Sequence, residues 1–212
     1  MKTDDLISAL AADETPPAPT PRRMLWLAVA GGALAAGIAF FVLLGPRPDF
    51  MQAIETVRFA FKFVVSLALA ASAFVALRRA MRPEMGAQPL HAVLLVAPAL
   101  LIAALVLEIL AVPTAHWAAR WIGYNWLYCM SFIPILSLAP LALLFFALHR
   151  GASTTPVRTG AIAGLLAGGI GAVFYAAHCT DDSPLFVATW YTIAIGFMTG
   201  LGALCGARLL RW

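Results

Sequence analysis

The sequence predicts an all-α membrane protein, a polytopic bundle of six transmembrane helices preceded by a short cytoplasmic amphipathic segment. Three observations predict this fold class: the composition, the number of long apolar stretches and the distribution of the basic residues. Of the 212 residues, 62% are hydrophobic and 11% are charged, and the mean hydropathy is +0.89. A soluble domain carries about 25% charged residues. The composition therefore excludes an ordinary soluble enzyme, a nucleic-acid-binding domain and a disordered protein.

Six stretches are apolar over the roughly 20 residues that a helix needs to cross a bilayer core of about 30 Å. They lie at about 24–44, 59–77, 90–112, 126–148, 160–177 and 186–207. Short connections separate them, so the sequence predicts no inserted domain. Lys62 and Glu108 fall inside the second and third stretches, near the same membrane face. At this shared depth the two side chains can pair with each other or extend to the aqueous interface.

The basic residues predict the orientation of the bundle. With the N-terminus in the cytoplasm, four of the 14 Lys and Arg residues lie on or near the outer side, namely Arg47, Arg58, Lys62 and Arg120. The other ten lie on the cytoplasmic side. Short cytoplasmic loops carry the excess of Lys and Arg in membrane proteins. Both termini are therefore predicted to be cytoplasmic.

The chain divides into a tail, residues 1–23, and a six-helix domain, residues 24–212. Residues 2–13 predict a short helix in which Leu6, Ile7 and Leu10 form an apolar stripe. Asp4 and Asp5 lie in its first turn, where the helix dipole favours negative charge. So short a helix folds only against a partner. The proline-rich residues 16–21 predict a semi-rigid spacer. The tail either binds a cytoplasmic partner through these residues or is an acidic tail without one.

Small residues recur at four-residue spacing in the fifth predicted helix, at Gly160, Gly164, Gly168 and Ala172. Further glycines lie in the sixth, at Gly196, Gly200, Gly202 and Gly206. Such spacing lets helices approach closely in lipid. With six helices in one chain, we expect these residues to pack within the molecule rather than across a homodimer.

Two of the three cysteines are predicted to lie at the outer face. Cys129 begins the fourth helix and Cys179 follows the fifth, and consecutive antiparallel helices can bring them within disulfide range, with Cα atoms at most about 7 Å apart. The polar residues His178, Asp181 and Asp182 adjoin Cys179 and form a candidate sensing environment. This arrangement favours a redox- or metal-responsive pair, although cysteines also serve as small apolar core residues. No metal-ligand spacing accompanies them, so no metal site is assigned, and Cys205, near the inner face, is expected to stay a free thiol.

Several segments together resemble the NrsF-type membrane anti-sigma factors of proteobacteria. The resemblance covers nearly the whole chain and rests on MKTDDLISALAAD at the N-terminus, the proline-rich spacer, the six short-looped spans, NWLYCM around Cys129 and HCTDDSPLFVATWY at 178–191. It implies a multi-pass protein of the bacterial inner membrane that is a regulator and not an enzyme. It implies no cofactor and no direct contact with nucleic acid.

The resemblance also implies how such a regulator works. The protein would sequester an extracytoplasmic-function sigma factor, with its cytoplasmic N-terminus contributing to the contact. The periplasmic cysteine pair of the family takes part in stress sensing, and its positions match Cys129 and Cys179. Cys205 lies outside that pair.

Two other classes remain open from the residues alone. A small membrane transporter or ion- or proton-conducting protein would use Lys62, Glu108 and the prolines of the third and fourth helices along a polar path. It would have no need of residues 1–13. A membrane redox enzyme would use the cysteine pair with a quinone, and no cofactor motif supports it.

Overall fold

A computed structural model describes residues 20–81, 90–149 and 155–210, together with Thr3 and Ser8. Within these residues six helices are long and apolar enough to cross a membrane: α1 (Pro21–Leu43), α2 (Val57–Ala80), α3 (Ala92–Ala111), α4 (Trp126–Leu148), α5 (Pro156–Ala176) and α6 (Pro184–Leu209). The described residues contain no strand. The predicted all-α class with six spans is confirmed, and each helix begins and ends within four residues of its predicted bounds.

The N-terminal tail lies mostly outside the described residues. Thr3 and Ser8 are helical and exposed, but Asp4, Asp5, Leu6, Ile7 and Leu10 are not described, and the predicted stripe stays a prediction. The end of the predicted spacer already belongs to the bundle. Thr20 caps α1 by accepting a hydrogen bond from the backbone N–H of Arg23, and Pro21 occupies the first helical turn, where a missing N–H costs nothing.

Short helices cover one end of the bundle, which we call the outer end. Phe50–Ala53 lies between α1 and α2, and a 3-10 turn, Thr114–His116, leads into Trp117–Ile122 between α3 and α4. At the opposite, inner end, the connections that follow α2 and α4 include residues 82–89 and 150–154, outside the described part of the chain. The described structure outside the spans is therefore concentrated at the outer end.

Helix α5 is the most deeply buried span, and its small residues explain why. A Cβ atom built on Gly160 would overlap the carbonyl oxygen of Gly202, and one on Gly164 would overlap that of Met198. The other sides of α5 are equally close, since Gly169 faces Ala70 of α2 and Gly171 faces Ile133 and Ser137 of α4. The predicted packing within the molecule is confirmed for these positions. Gly196 and Gly200, by contrast, have open space around them and take no part in it.

Near its start, helix α6 contains a π-helical turn, Val187–Tyr191. This turn follows Pro184–Phe186 and precedes Thr192–Leu209. Such turns insert one extra residue per turn and are frequent at functional sites. Both ends of the turn are buried, at Val187 and Tyr191, in a cluster that also contains Tyr175, Phe186 and both outer cysteines. The turn thereby contributes two buried side chains to the cluster that contains the cysteine pair.

Candidate functional site

The outer ends of the helices meet at residues 178–183, the connection from α5 to α6, which we call the cysteine segment. Its two ends are fixed by helix capping. At the α5 end, the backbone N–H groups of His178 and Cys179 both donate to the carbonyl oxygen of Tyr175, over 3.0 and 3.1 Å. At the α6 end, the hydroxyl of Ser183 accepts from the backbone N–H of Leu185. The segment is therefore an ordered turn.

Cys129 and Cys179 belong to the same buried hydrophobic cluster, and each is 0% exposed. Both thiols are free. The Cys179 thiol donates to the carbonyl oxygen of Asp181 over 3.7 Å, and burial raises the pKa of this thiol above its ordinary value. The two sulfurs thus lie in one apolar cluster. The Cys179 thiol stays protonated at neutral pH. Cys205, also a free thiol, packs against the separate cluster at the inner half of the bundle.

Two cations, Lys62 and Arg47, bind the cysteine segment. The Lys62 ammonium lies 2.5 Å from Asp182 Oδ1 and 2.7 Å from the carbonyl oxygen of Cys179. Arg47 Nη1 donates to both carboxylate oxygens of Asp182, over 2.9 and 3.1 Å, and to the Cys179 carbonyl over 3.3 Å. Both cations also lie about 5.5 Å or less from the ring centroid of Phe59, within the range of a cation–π interaction.

Arg47 has a second carboxylate partner, Asp49, which it binds through two parallel bonds of 2.6 and 2.7 Å. This bidentate pairing lowers the pKa of Asp49, while Asp49 and Asp182 raise the pKa of Arg47 despite its burial. The backbone N–H of Arg47 donates to the carbonyl of Ala177. Arg47 therefore fastens the α1–α2 connection to the cysteine segment by its side chain, and to Ala177, just before the segment, by its main chain.

Glu108 forms a second ionic cluster beside the first. Its carboxylate, 4% exposed, accepts from Arg58 over 2.8 Å and from Arg120 over 2.7 Å. The hydroxyl of Ser183 donates to the same carboxylate over 3.3 Å. A buried carboxylate is tolerated only when such donors replace water. The cluster joins α2, α3 and the Trp117–Ile122 helix to the end of the cysteine segment.

Lys62 and Glu108, which could have paired at their shared depth, have other partners. Lys62 is bound to Asp182, a residue outside the spans, and Glu108 is bound to Arg58, which lies one turn before Lys62 on α2. Depth in the membrane correctly placed both charges near one face. It could not show that the connection after α5 folds back over the end of α2 and offers Lys62 a nearer carboxylate.

The start of α4 is held by Asp181. Its carboxylate accepts from the backbone N–H groups of Tyr124 and Asn125, over 3.0 and 2.8 Å, and from the Asn125 side-chain amide over 2.9 Å. The turn before them needs Gly123, which has a φ of +62° and whose Cβ would collide with the Phe186 ring and the Asp181 carboxylate carbon. This contact places the first turn of α4, and hence Cys129, against the cysteine segment.

The three residues predicted as the sensing environment all lie in the cysteine segment, but their side chains face other partners. His178 Nδ1 lies 3.0 Å from the carbonyl oxygen of Gly45, while Asp181 and Asp182 bind the groups described above. Among the described residues no group of three or more His, Cys, Asp and Glu side chains could hold a metal ion.

Sequence reasoning singled out Lys62 as a charge that could pair, but it missed the three arginines of the site. Arg47, Arg58, Lys62 and Arg120 each form an ion pair there. The signal that could have found them was their number on the side of the membrane that normally carries few basic residues. Four cations on that side need carboxylate partners, and the outer connections contain Asp49, Asp181 and Asp182.

A partly open cavity of about 490 Å³ lies between α2, α3, α5 and α6. Its lining is apolar except for Tyr191 and the hydroxyl groups of Ser66, Thr192 and Thr199. Neither Lys62 nor Glu108 lines it, because both are engaged in ion pairs at the outer end.

Comparison with known proteins gives a consistent result over the full length. The family model described as "negative regulator of sigma F", NrsF, matches residues 10–212. The anti-sigma-F factor NrsF of Caulobacter vibrioides is 35% identical over 216 aligned residues, which cover 100% of both chains. The probable anti-sigma-F factor NrsF of Azospira oryzae is 30% identical over 213 residues, again covering 100% of both. No solved structure matches the chain.

Proposed function

Because the chain belongs to the NrsF family of negative regulators of sigma F, we propose that it sequesters an extracytoplasmic-function sigma factor at the bacterial inner membrane. A stress signal at Cys129 and Cys179 releases the sigma factor. The anti-sigma role follows from the family. The type of sigma factor, the membrane and the sensing pair are argued below from the residues.

We assign the cysteine segment to the periplasm, and two observations support this location. Six spans return the C-terminus to the side of the N-terminus, and the cytoplasmic side then carries ten of the 14 basic residues. The four that remain outside are each neutralised by a carboxylate in the structure. Paired charges are less costly at a membrane face than isolated ones, so these four cations are compatible with a periplasmic location.

The observation that supports the sensing function is the common burial of the two thiols in one cluster, beside a segment that four outer elements contact. Oxidation of the pair, in which an oxidant removes two electrons and the two thiol protons, would join the Cys129 and Cys179 sulfurs in a disulfide, and a soft metal ion would instead displace those protons and bind both thiolates. Either event would end the hydrogen bond from the Cys179 thiol to the carbonyl oxygen of Asp181. The segment is fastened to the α1–α2 connection by Arg47, to α2 by Lys62, to α3 through Glu108 and to α4 by Asp181. A change at the pair would therefore disturb all four.

Helix α5 supplies a route from the pair to the inner end. At Gly160 and Gly164 no side chain separates α5 from the backbone of α6, so a displacement of α5 cannot be absorbed by rotamer changes at those two contacts. At the inner end the described chain continues into the loops and tail that face the cytoplasm in this orientation. The stripe Leu6, Ile7 and Leu10, with Asp4 and Asp5 in the preceding turn, is the surface that we assign to the sigma factor.

A transcription reporter driven by the sigma factor tests this function in cells that contain the full chain. Deleting residues 2–13 is expected to give high reporter output without a signal, at an unchanged level of membrane-inserted protein. Cys129→Ser and Cys179→Ser are each expected to abolish the response to thiol-reactive stress. Cys205→Ser, outside the pair, serves as the matched control and should respond like the original chain. A tail deletion that still represses the reporter would contradict the assignment of the tail, and a normal stress response in both outer cysteine variants would contradict the sensing pair.

A further inference from the structure

Lys62 is a buried cation whose contacts converge on the backbone of one cysteine. It is 0% exposed and projects from the second turn of α2. Its ammonium group bonds to the carbonyl oxygen of Cys179 over 2.7 Å and to the carboxylate of Asp182, and it lies 5.3 Å from the centre of the Phe59 ring. The ammonium thus has two polar partners and one aromatic neighbour, and both polar partners belong to the cysteine segment.

The bond to the Cys179 carbonyl restrains the peptide unit that follows the thiol-bearing Cα atom. A buried ammonium that loses its acceptors is left without the water that would replace them, which makes the loss costly. The segment therefore cannot lift away from the bundle, or turn the Cys179 side chain outward, unless this contact breaks first. Both thiols are closed to solvent in the present arrangement, so a reagent from the periplasm reaches Cys179 only after such an opening.

The other cations of the outer end are less suited to this role. Arg47 donates to the same carbonyl oxygen over a longer distance, 3.3 Å. Its shortest hydrogen bonds are to Asp49, which lies outside the segment. Arg58 lies one turn from Lys62 on α2 and is also ion-paired, but its partner is Glu108 of α3. Glu108 keeps Arg120 and Ser183 when Arg58 is removed. Arg58 is therefore a control on the same helix, with a charge of the same sign.

We propose that Lys62 is the positioning residue of the sensing pair: it holds the Cys179 carbonyl and Asp182, keeps the Cys179 thiol closed, and sets the rate at which a periplasmic signal gains access to it. This inference rests on the proposed role of Cys179 in sensing. It assigns a function to a membrane-embedded charge that the anti-sigma activity alone does not explain.

The test is the rate at which a maleimide reagent alkylates each cysteine in the purified full chain in detergent, read by mass spectrometry of the peptides. Lys62→Met is expected to raise the Cys179 rate about tenfold or more, because the segment opens locally at a lower free energy. The Cys205 rate, at the other end of the bundle, should not change. Arg58→Met, which leaves Glu108 bound to Arg120 and Ser183, is expected to raise the Cys179 rate much less than Lys62→Met does and to leave the Cys205 rate unchanged. Asp182→Asn keeps the bond from Lys62 to the carbonyl and should raise the Cys179 rate less than Lys62→Met does.

Each contrary result overturns the assignment. An unchanged Cys179 rate in Lys62→Met would show that the ammonium does not hold the segment. Equal acceleration by Arg58→Met, or a parallel rise of the Cys205 rate, would show that any charge removal loosens the whole bundle. A larger effect of Asp182→Asn would transfer the role to the Arg47–Asp182 pair. The sensing function is judged separately by the Cys179→Ser reporter response, so its failure cannot be mistaken for that of Lys62.

Discussion

Asp181 and Asn125 are bound to each other by two hydrogen bonds, although 56 residues separate them in the chain. The Asp181 carboxylate receives the backbone N–H of Asn125 over 2.8 Å and its side-chain amide over 2.9 Å, and it also receives the N–H of Tyr124. Asn125 directly precedes α4, whose first N–H groups have no partner within the helix. One carboxylate thus closes the start of the helix that carries Cys129 onto the segment that carries Cys179.

Replacing Asp181 by Ala is expected to lower the free energy of unfolding by about 2–3 kcal/mol, because hydrogen bonds to a charged, partly buried group are lost together. The measurement is unfolding of the detergent-solubilised chain, followed by circular dichroism. Glu55→Gln, at an exposed carboxylate of the same end, should change the free energy by less than about 0.5 kcal/mol. If the two variants unfold alike, Asp181 does not hold the start of α4.

The fold could be predicted because its determinants are long and repetitive. Each span needs roughly 20 apolar residues, and only such stretches satisfy the backbone in lipid. The interruption of apolar runs by residues such as Arg47 and Arg120 therefore fixed the number of helices. Helix α1 begins at Pro21, three residues before the predicted start at Met24, because Arg22 and Arg23 belong to the helix and not to the polar tail. Both are exposed residues of the first turn, which Thr20 caps and Pro21 begins.

The site could be predicted only in part, because its contacts join connections that are far apart in the chain. The position of Cys129 and Cys179 at one end followed from helix order, and both lie in one buried cluster. That they approach within disulfide range stays a prediction. The partner of Lys62 depended on how residues 178–183 fold over α2, and no periodicity or spacing in the sequence encodes that path. The glycines of α6 show the same limit. Their spacing in the sequence does not distinguish Gly202, which is closely packed, from Gly200, which has open space around it.

These two glycines of α6 give an internally controlled prediction. A Cβ on Gly202 would overlap the carbonyl oxygen of Gly160 and lie 2.8 Å from the Cα of Gly164, so α5 and α6 must separate. Gly202→Ala is therefore expected to cost about 1–3 kcal/mol, as overpacking does elsewhere. Gly200→Ala meets nothing within 4 Å and is expected to be neutral or to stabilise by up to about 1 kcal/mol, because alanine favours the helix. Unfolding at increasing concentrations of a denaturing detergent measures the stability of both variants. Equal effects would rule out close packing at Gly202.

The buried thiol of Cys179 predicts a dependence of stability on alkaline pH. Burial raises its pKa in the folded chain above the ordinary value of 9.0. The stability that this thiol contributes is therefore fully present below about pH 9, the ordinary pKa of an unfolded cysteine, and is lost as the pH rises toward the folded pKa. The original chain and Cys179→Ser should show a difference in unfolding free energy that is constant from pH 6 to about pH 8 and shrinks above about pH 9. A difference that stays constant to about pH 10.5 would show that the folded and unfolded thiols titrate alike.

The N-terminal stripe predicts which residues hold the sigma factor. Leu6, Ile7 and Leu10 form an apolar stripe of the tail, and each buried Leu or Ile contributes roughly 1.5–3 kcal/mol. Changing Leu6 and Leu10 together to Asp is therefore expected to weaken binding by at least about a hundredfold. Membrane insertion should be unchanged, since α1 begins at Pro21. Co-purification and a binding titration with the sigma factor measure the effect.

The matched control for this last change is Ser8→Asp with Ala12→Asp, which adds the same two charges on the opposite face of a helix. It should bind like the original chain. Neutralising Asp4 and Asp5 is expected to weaken binding less, and more visibly at low salt, where exposed charges are poorly screened. This would identify a basic surface on the sigma factor. If the Leu6 and Leu10 double variant bound with the original affinity, the contact would have to lie in the cytoplasmic connections at 78–89 or 149–159, because those are the other chain segments that the predicted orientation exposes to the cytoplasm between spans.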